Sequence, residues 1–201
     1  MLDGMRIAIL AEQGFEDAEL AEPLRAMKAA GARVMVVGSG SQRSYKGKRG
    51  VAEVKVDADA DQVRADCFDA IIIPGGYAPD EMRLHKPMID LVRKAHDSGR
   101  LVAAICQGPQ LLISAEVVRG RKVTSCPSIA TDLMNAGATW FDEAVIRDGN
   151  LITSRQPADI PEFNAAIIEA LQGHPPGSVN QAIRSHLPIR PHAPSGARPI
   201  G

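Results

Sequence analysis

A chain of 201 residues, 45% hydrophobic and 23% charged, has globular composition and enough length for one domain with a sizeable core. Its net charge of -1 gives no overall attraction for nucleic acid or an anionic membrane, and scattered aromatic residues amounting to 3% build no base-stacking platform. No apolar run reaches the roughly 18 residues of a membrane span, and the opening Met-Leu-Asp-Gly-Met-Arg lacks the basic and long apolar regions of an export signal.

In chain order, the apolar run from Arg6 to Leu10 predicts a buried strand, followed by a polar turn and a helix from about Glu16 to Ala30. Leu20, Leu24 and Met27 fall on one face of that helix, and Gly31 is a suitable stop. A second apolar run, Arg33 to Val37, completes a β-α-β unit, which requires parallel strands. Between Ser44 and Asp57 the pattern alternates and predicts a half-exposed strand or hairpin at a sheet edge. Asp69 to Pro74 is a buried strand running into the turn Gly75-Gly76-Tyr77-Ala78-Pro79-Asp80, and a helix is expected from about Pro87 to Ser98. Leu101 to Ile105 is a further buried strand, which ends at Cys106 and gives way to a helix over Gln110 to Ala115. A helix from about Ser128 to Asn135, a hairpin joining Val145–Arg147 to Leu151–Ser154, and a helix over Asp159 to Leu171 close the body. Strands with continuous apolar runs that alternate with helices predict an α/β three-layer sandwich with helices on both sheet faces.

Composition changes at Gly173. The segment 173–201 holds six of the 14 prolines, three of the five histidines, three arginines and no acid. Residues 1–172 therefore carry 20 basic against 24 acidic side chains, a net -4, while the arm carries +3. So few large apolar groups cannot offset the entropy of ordering the arm alone, so order there would imply docking, with an interface to a neighbouring subunit as the expected place.

In open α/β sheets, ligands sit at the carboxyl ends of the strands. Three such ends carry chemistry: Glu16-Asp17 after the first strand, Gly75 to Asp80 after the third, and Cys106 after the fourth. Ala104-Ile105-Cys106-Gln107-Gly108 has small residues two before and two after a nucleophile, the layout of a strained strand-to-helix elbow. A helix start favours the thiolate, and the backbone amides of Gln107 and of the Gly75-Gly76 pair are candidates to hold an oxyanion. A carboxylate near a thiolate raises the thiol pKa, so Glu16 serves there only as a protonated donor or proton carrier, unless it simply complements the helix dipole. Cys67 and Cys126 receive no role, although Cys126, in a loop before Pro127, is open to oxidation. Three cysteines at no metal-ligand spacing, with histidines elsewhere, point to reduced thiols in a cytoplasmic setting and to no metal or cofactor.

Gly14-Phe15-Glu16-Asp17-Ala18-Glu19-Leu20, Ile73-Pro74-Gly75-Gly76-Tyr77-Ala78-Pro79-Asp80, Ala104 to Gln110, Arg119 to Ser125, Asn135 to Ala138 and Ser154 to Asp159 closely resemble the PfpI family of intracellular cysteine proteases and amidases, in the ThiJ/PfpI superfamily. The resemblance runs in order from about Arg6 to Leu171. It implies a flavodoxin-like sandwich related to class I glutamine amidotransferases, a homodimer or larger homo-oligomer, Cys106 as nucleophile, Glu16 as the protonated acid beside it, and Asp80 as an acid reaching a neighbouring subunit's site. Family members usually carry histidine after the nucleophile, whereas this chain has Gln107. Glutamine exchanges no proton near neutrality, which disfavours the protonation of a poor amine leaving group in peptide hydrolysis. His85 and His96 read as surface residues and supply no replacement. Three readings follow: a cysteine hydrolase of peptides or amides, a glyoxalase-, deglycase- or isonitrile-hydratase-like enzyme on small electrophiles, and a non-enzymatic redox-sensing stress protein.

Overall fold

The computed structural model describes residues 1–173; the arm from His174 onward, with its expected docking, lies outside the described residues. The strands are β1 (Arg6–Ala11), β2 (Arg33–Gly38), β3 (Ser44–Lys46), β4 (Glu53–Lys55), β5 (Ala58–Asp59), β6 (Ala70–Ile73), β7 (Leu101–Ile105), β8 (Lys122–Val123), β9 (Thr139–Trp140), β10 (Val145–Asp148) and β11 (Leu151–Ser154). The helices are α1 (Asp17–Ala29), α2 (Ala78–Met82), α3 (Lys86–Asp97), α4 (Pro109–Ser114), α5 (Ala130–Asn135) and α6 (Ile160–Gln172). A seven-stranded sheet in the order β10-β11-β7-β6-β1-β2-β5 forms the middle layer, parallel except for β10.

Register follows burial. β6 and β7 are buried along their whole length, so both faces must be covered, and their runs of Ile, Val and Ala meet that need. Right-handed crossovers from β1 to β2 and from β6 to β7 run in opposite directions along the sheet, which puts α1 and α3 on opposite faces. α6 packs with α1 on one face, and α4 packs with α3 on the other. This is the flavodoxin-like α/β/α sandwich expected from the alternation of elements.

Two local expectations need correction. The Ser44–Asp57 segment forms the antiparallel pair β3 and β4, but as a separate sheet; the edge of the main sheet is β5. The hairpin is instead fastened over the start of α1: Asp17 accepts the amides of Ala52 and Arg49, and Lys48 N–H donates to Phe15 O at 2.8 Å. The turn after Gly76 continues into α2, which Pro79 at its second residue permits.

Candidate active site

The carboxyl ends of β7, β6 and β1 are neighbours in the sheet, so the three chemically distinctive turns converge. Cys106 follows β7 directly and has φ +60°, one of two non-glycine residues with positive φ among the described residues. Such a conformation costs on the order of 1–3 kcal/mol and persists only where neighbours hold it. Here Cys106 N–H donates to Ser154 O at 3.0 Å and Cys106 O accepts Cys126 N–H at 3.2 Å. Gly108 closes the elbow, since a Cβ there would stand 2.6 Å from Ile73 O.

The acid beside the thiol is Glu19. Its side chain is fully buried, its Oε2 accepts Gly75 N–H at 2.8 Å, and it interacts with Cys106. Burial raises its pKa from 4.5 to about 7, against the lowering effect of the Gly75 amide and Cys106. Its Oε1 is buried without a hydrogen-bond partner among the described residues.

Glu16, the acid expected at this position, is turned to the hairpin. Its carboxylate meets Lys48 Nζ at 2.7 Å and Arg49 at 3.7 Å, and this pairing pushes the Lys48 ammonium above its ordinary pKa. The physical reason is helical geometry: Glu16 stands before the first turn of α1, under the β3–β4 loop, whereas Glu19 sits where α1 faces the sheet. The signal for Glu19 was present in the sequence. Glu19, Pro23 and Met27 recur at intervals of four on the buried face of α1, so an acid there must lie among apolar groups.

Gly75 and Gly76 divide their work. The Gly75 amide is occupied by Glu19, so it does not serve as the oxyanion donor expected of it. Its smallness is what matters: a Cβ would meet Glu19 Oε2 at 2.6 Å, Cys106 Cβ at 2.8 Å and Gln107 N at 2.9 Å. Gly76 N–H donates to Gln107 Oε1 at 3.2 Å, and the Cys106 thiol donates to the same oxygen at 2.8 Å. Two donors meeting one atom fix that atom as the carbonyl oxygen of the side-chain amide. Gln107 Oε1 thus stands where a substrate carbonyl oxygen would, beside the sulfur and on the Gly76 amide. The Gln107 backbone N–H has no acceptor among the described residues.

Cys126, which had no assigned role, belongs to this cluster. Its thiol is pulled below its ordinary pKa by its hydrogen bond with Cys106, assisted by Ser128 and by the backbone amides of Ile129 and Ser128. Cys106 is correspondingly pushed up, first by Cys126, then by burial and by the Glu19 charge. The two thiols therefore titrate as a coupled pair, each shifting the other. Sequence carried no sign of this, because Cys106 and Cys126 meet only through the path of the β7 and β8 loops.

Asp80 lies in the first turn of the short α2, with a solvent-exposed carboxylate 3.9 Å from Arg83. Beside it, Lys48 Nζ sits 5.7 Å from the ring centre of the exposed Tyr77. Lys48, Tyr77, Gln13, Ser41 and His85 border an open depression of about 560 Å³. Among the described residues no group of three or more His, Cys, Asp or Glu is placed to hold a metal ion, and no helix is long and apolar enough to cross a membrane.

The arrangement combines a half-buried thiol on a strained elbow, an acid poised near neutrality and the Gly76 backbone amide directed at an oxygen beside the sulfur. That is the equipment for nucleophilic addition to a polarised carbon with local proton transfer. Residues 5–170 match the DJ-1/PfpI family. General stress protein 18 of Bacillus subtilis is 42% identical over 84% of this chain and 99% of its own length. Protein/nucleic acid deglycase 2 of Escherichia coli is 41% identical over 83% of this chain and 97% of its own, and the deglycase PfpI of Pyrococcus furiosus is 41% identical over 84% and 100%. Among solved structures, Drosophila melanogaster DJ-1beta superposes with a TM-score of 0.78 at 32% identity, covering 85% of this chain and 91% of that one. On this match across nearly the whole described body, the chain belongs to the DJ-1/PfpI family.

Proposed function

We propose that this protein is a Cys106-dependent deglycase, which removes carbonyl-derived adducts from amine or thiol groups. The observation that carries this reading is the meeting of Cys106 and the Gly76 amide at a single carbonyl-oxygen position, now filled by Gln107 Oε1, with Glu19 against the same thiol. When the Gln107 side chain gives way, a substrate carbonyl enters its place. Cys106 Sγ then adds to the carbonyl carbon, the oxygen takes the electron pair against the Gly76 and Gln107 amides, and the thiol proton passes to a basic neighbour. With a pKa of about 7, Glu19 can hold or return that proton near neutral pH; the bond from carbon to the departing amine or thiol breaks as that group takes the proton, and water then releases the carbon fragment from Cys106 Sγ as the hydroxy acid.

The names of the relatives support this reading over proteolysis. The name of the Escherichia coli relative extends to nucleic acid. A net charge of -1 argues against phosphate-driven binding but leaves room for an adduct presented on an accessible base.

The test is turnover of methylglyoxal adducts of N-acetylated cysteine, lysine and arginine, followed as free amine or thiol, beside a panel of peptide amides and isonitriles. Wild type is expected to release the adducts, and Cys106→Ser to lose roughly a thousandfold or more of that rate. Equal rates for the two proteins, or turnover confined to amides or isonitriles, would overturn the assignment.

A further inference from the structure

Cys126 lies within the site yet the chemistry above makes no use of it. Its backbone N–H donates to Cys106 O at 3.2 Å. A hydrogen bond between chain segments typically keeps the Cα atoms within about 5–6 Å, inside the range of roughly 4.4–6.8 Å that a disulfide needs. The two thiols also interact electrostatically, each shifting the other's titration. Access differs: Cys106 is partly exposed, while Cys126 is 8% exposed and contacts Ser128 Oγ at 3.2 Å. The segment carrying Cys126 is pinned on both sides. Thr124 N–H donates to Thr153 Oγ1 at 2.9 Å, and Trp140 Nε1 donates to Ser125 Oγ at 3.0 Å, which in turn donates to Cys126 O at 2.8 Å. The third cysteine, Cys67, sits elsewhere, in a 3₁₀ turn before β6 beside Asp66.

We propose that Cys106 and Cys126 form a reversible intramolecular disulfide, with a hydroperoxide as oxidant, Cys106 as the sulfur oxidised first and Cys126 as the resolving thiol. Cys106 Sγ attacks the outer peroxide oxygen; the S–O bond forms, the O–O bond breaks, and the alkoxide leaves as alcohol with the Cys106 proton. Sulfur is oxidised by two electrons to sulfenic acid, and the peroxide is reduced. Cys126 Sγ then attacks Cys106 Sγ; the S–S bond forms, the S–O bond breaks, and the oxygen leaves as water with the Cys126 proton. A small dithiol returns the pair to the reduced form by thiol–disulfide exchange. Resolution removes the sulfenic acid before a second peroxide can carry it to the irreversible sulfinic acid. The depressed Cys126 thiol favours this role, since a resolving sulfur acts as thiolate.

This inference requires only Cys106, Cys126 and a peroxide, so it stands or falls separately from the deglycase reading. The full chain is reduced, treated with a several-fold molar excess of hydrogen peroxide, quenched with an alkylating agent and mapped by peptide mass. Wild type should lose two hydrogens, yield a peptide pair joining Cys106 to Cys126, and regain both thiols with dithiothreitol; Cys67→Ser should behave the same way. In Cys126→Ser, the Cys106 peptide should instead gain two oxygens that dithiothreitol leaves in place. Cys126→Ala serves as the second variant, and the wild-type map decides alone should both variants misfold. Oxidation of Cys106 in wild type to sulfinic acid without the joined peptide, or a disulfide through Cys67, would overturn the proposal.

Discussion

Glu19 governs how the site responds to pH. Its carboxyl titrates at about 7 when folded, against an ordinary value of 4.5, so between these values the folded chain binds more protons than the unfolded one. Stability from this group is therefore full below about pH 4.5 and declines as pH rises through 7. The difference of 2.5, at about 1.36 kcal/mol for each pH unit, sets a ceiling of roughly 3 kcal/mol. Glu19→Gln should flatten the loss of urea stability across that interval, whereas Glu16→Gln, which disturbs only an ion pair under the hairpin, should leave the slope in place. An unchanged slope in Glu19→Gln would show that the carboxyl is not the titrating group. At this scale the sequence displayed the nucleophile clearly, because the elbow needs small residues at fixed offsets. It displayed the acid ambiguously, because Glu16 and Glu19 share one helix and only the direction of the sheet separates them.

The elements that carry the site meet with almost no clearance. α1 delivers Glu19, the β6 turn delivers Gly75, and the β7 elbow delivers Cys106, with the space between them closed to even one added carbon. Gly75→Ala should therefore force either the elbow or Glu19 aside, at a cost of about 1–3 kcal/mol in denaturant stability. Adduct turnover should fall with it, since the sulfur and acid would no longer face each other. Wild-type turnover in a folded Gly75→Ala protein would mean the three elements move independently. The long elements were legible from hydrophobic runs and periodicity: β7 has the expected ends, and those of β1, β2, β6 and α6 depart from expectation by at most one residue. What was not legible was short or non-local: α2, the parallel pairing of β8 with β9, and the docking of the β3–β4 hairpin on Asp17. None of these has enough residues to show a period, and each is decided by a distant partner.

For the whole molecule, the described body is closed by α6, whose buried Ile160, Phe163, Ile167, Ala170 and Leu171 complete one helical layer. We propose that the basic, proline-rich arm from His174 serves assembly, drawn to a neighbouring acidic body, with the exposed Val51, Tyr77 and Leu84 as further surface for subunit contact. Asp80 lies between two of these residues in sequence, as a residue that meets a neighbouring subunit would. Ending the chain after Gly173 should leave the unfolding midpoint and the oxidation of Cys106 unchanged while reducing the assembly size in gel filtration; an unchanged size would remove the arm from assembly. The strained backbone of Cys106 also bears on how the protein is born. Its two backbone restraints come from Cys126 and Ser154, both later in the chain. On the ribosome, the 48 residues from Cys106 to Ser154 take roughly 2–10 s to add at about 5–20 residues per second. Until then the elbow has no clamp, so the nascent chain carries its nucleophile as an ordinary cysteine, and reactivity arrives only when the fold that protects it is nearly finished.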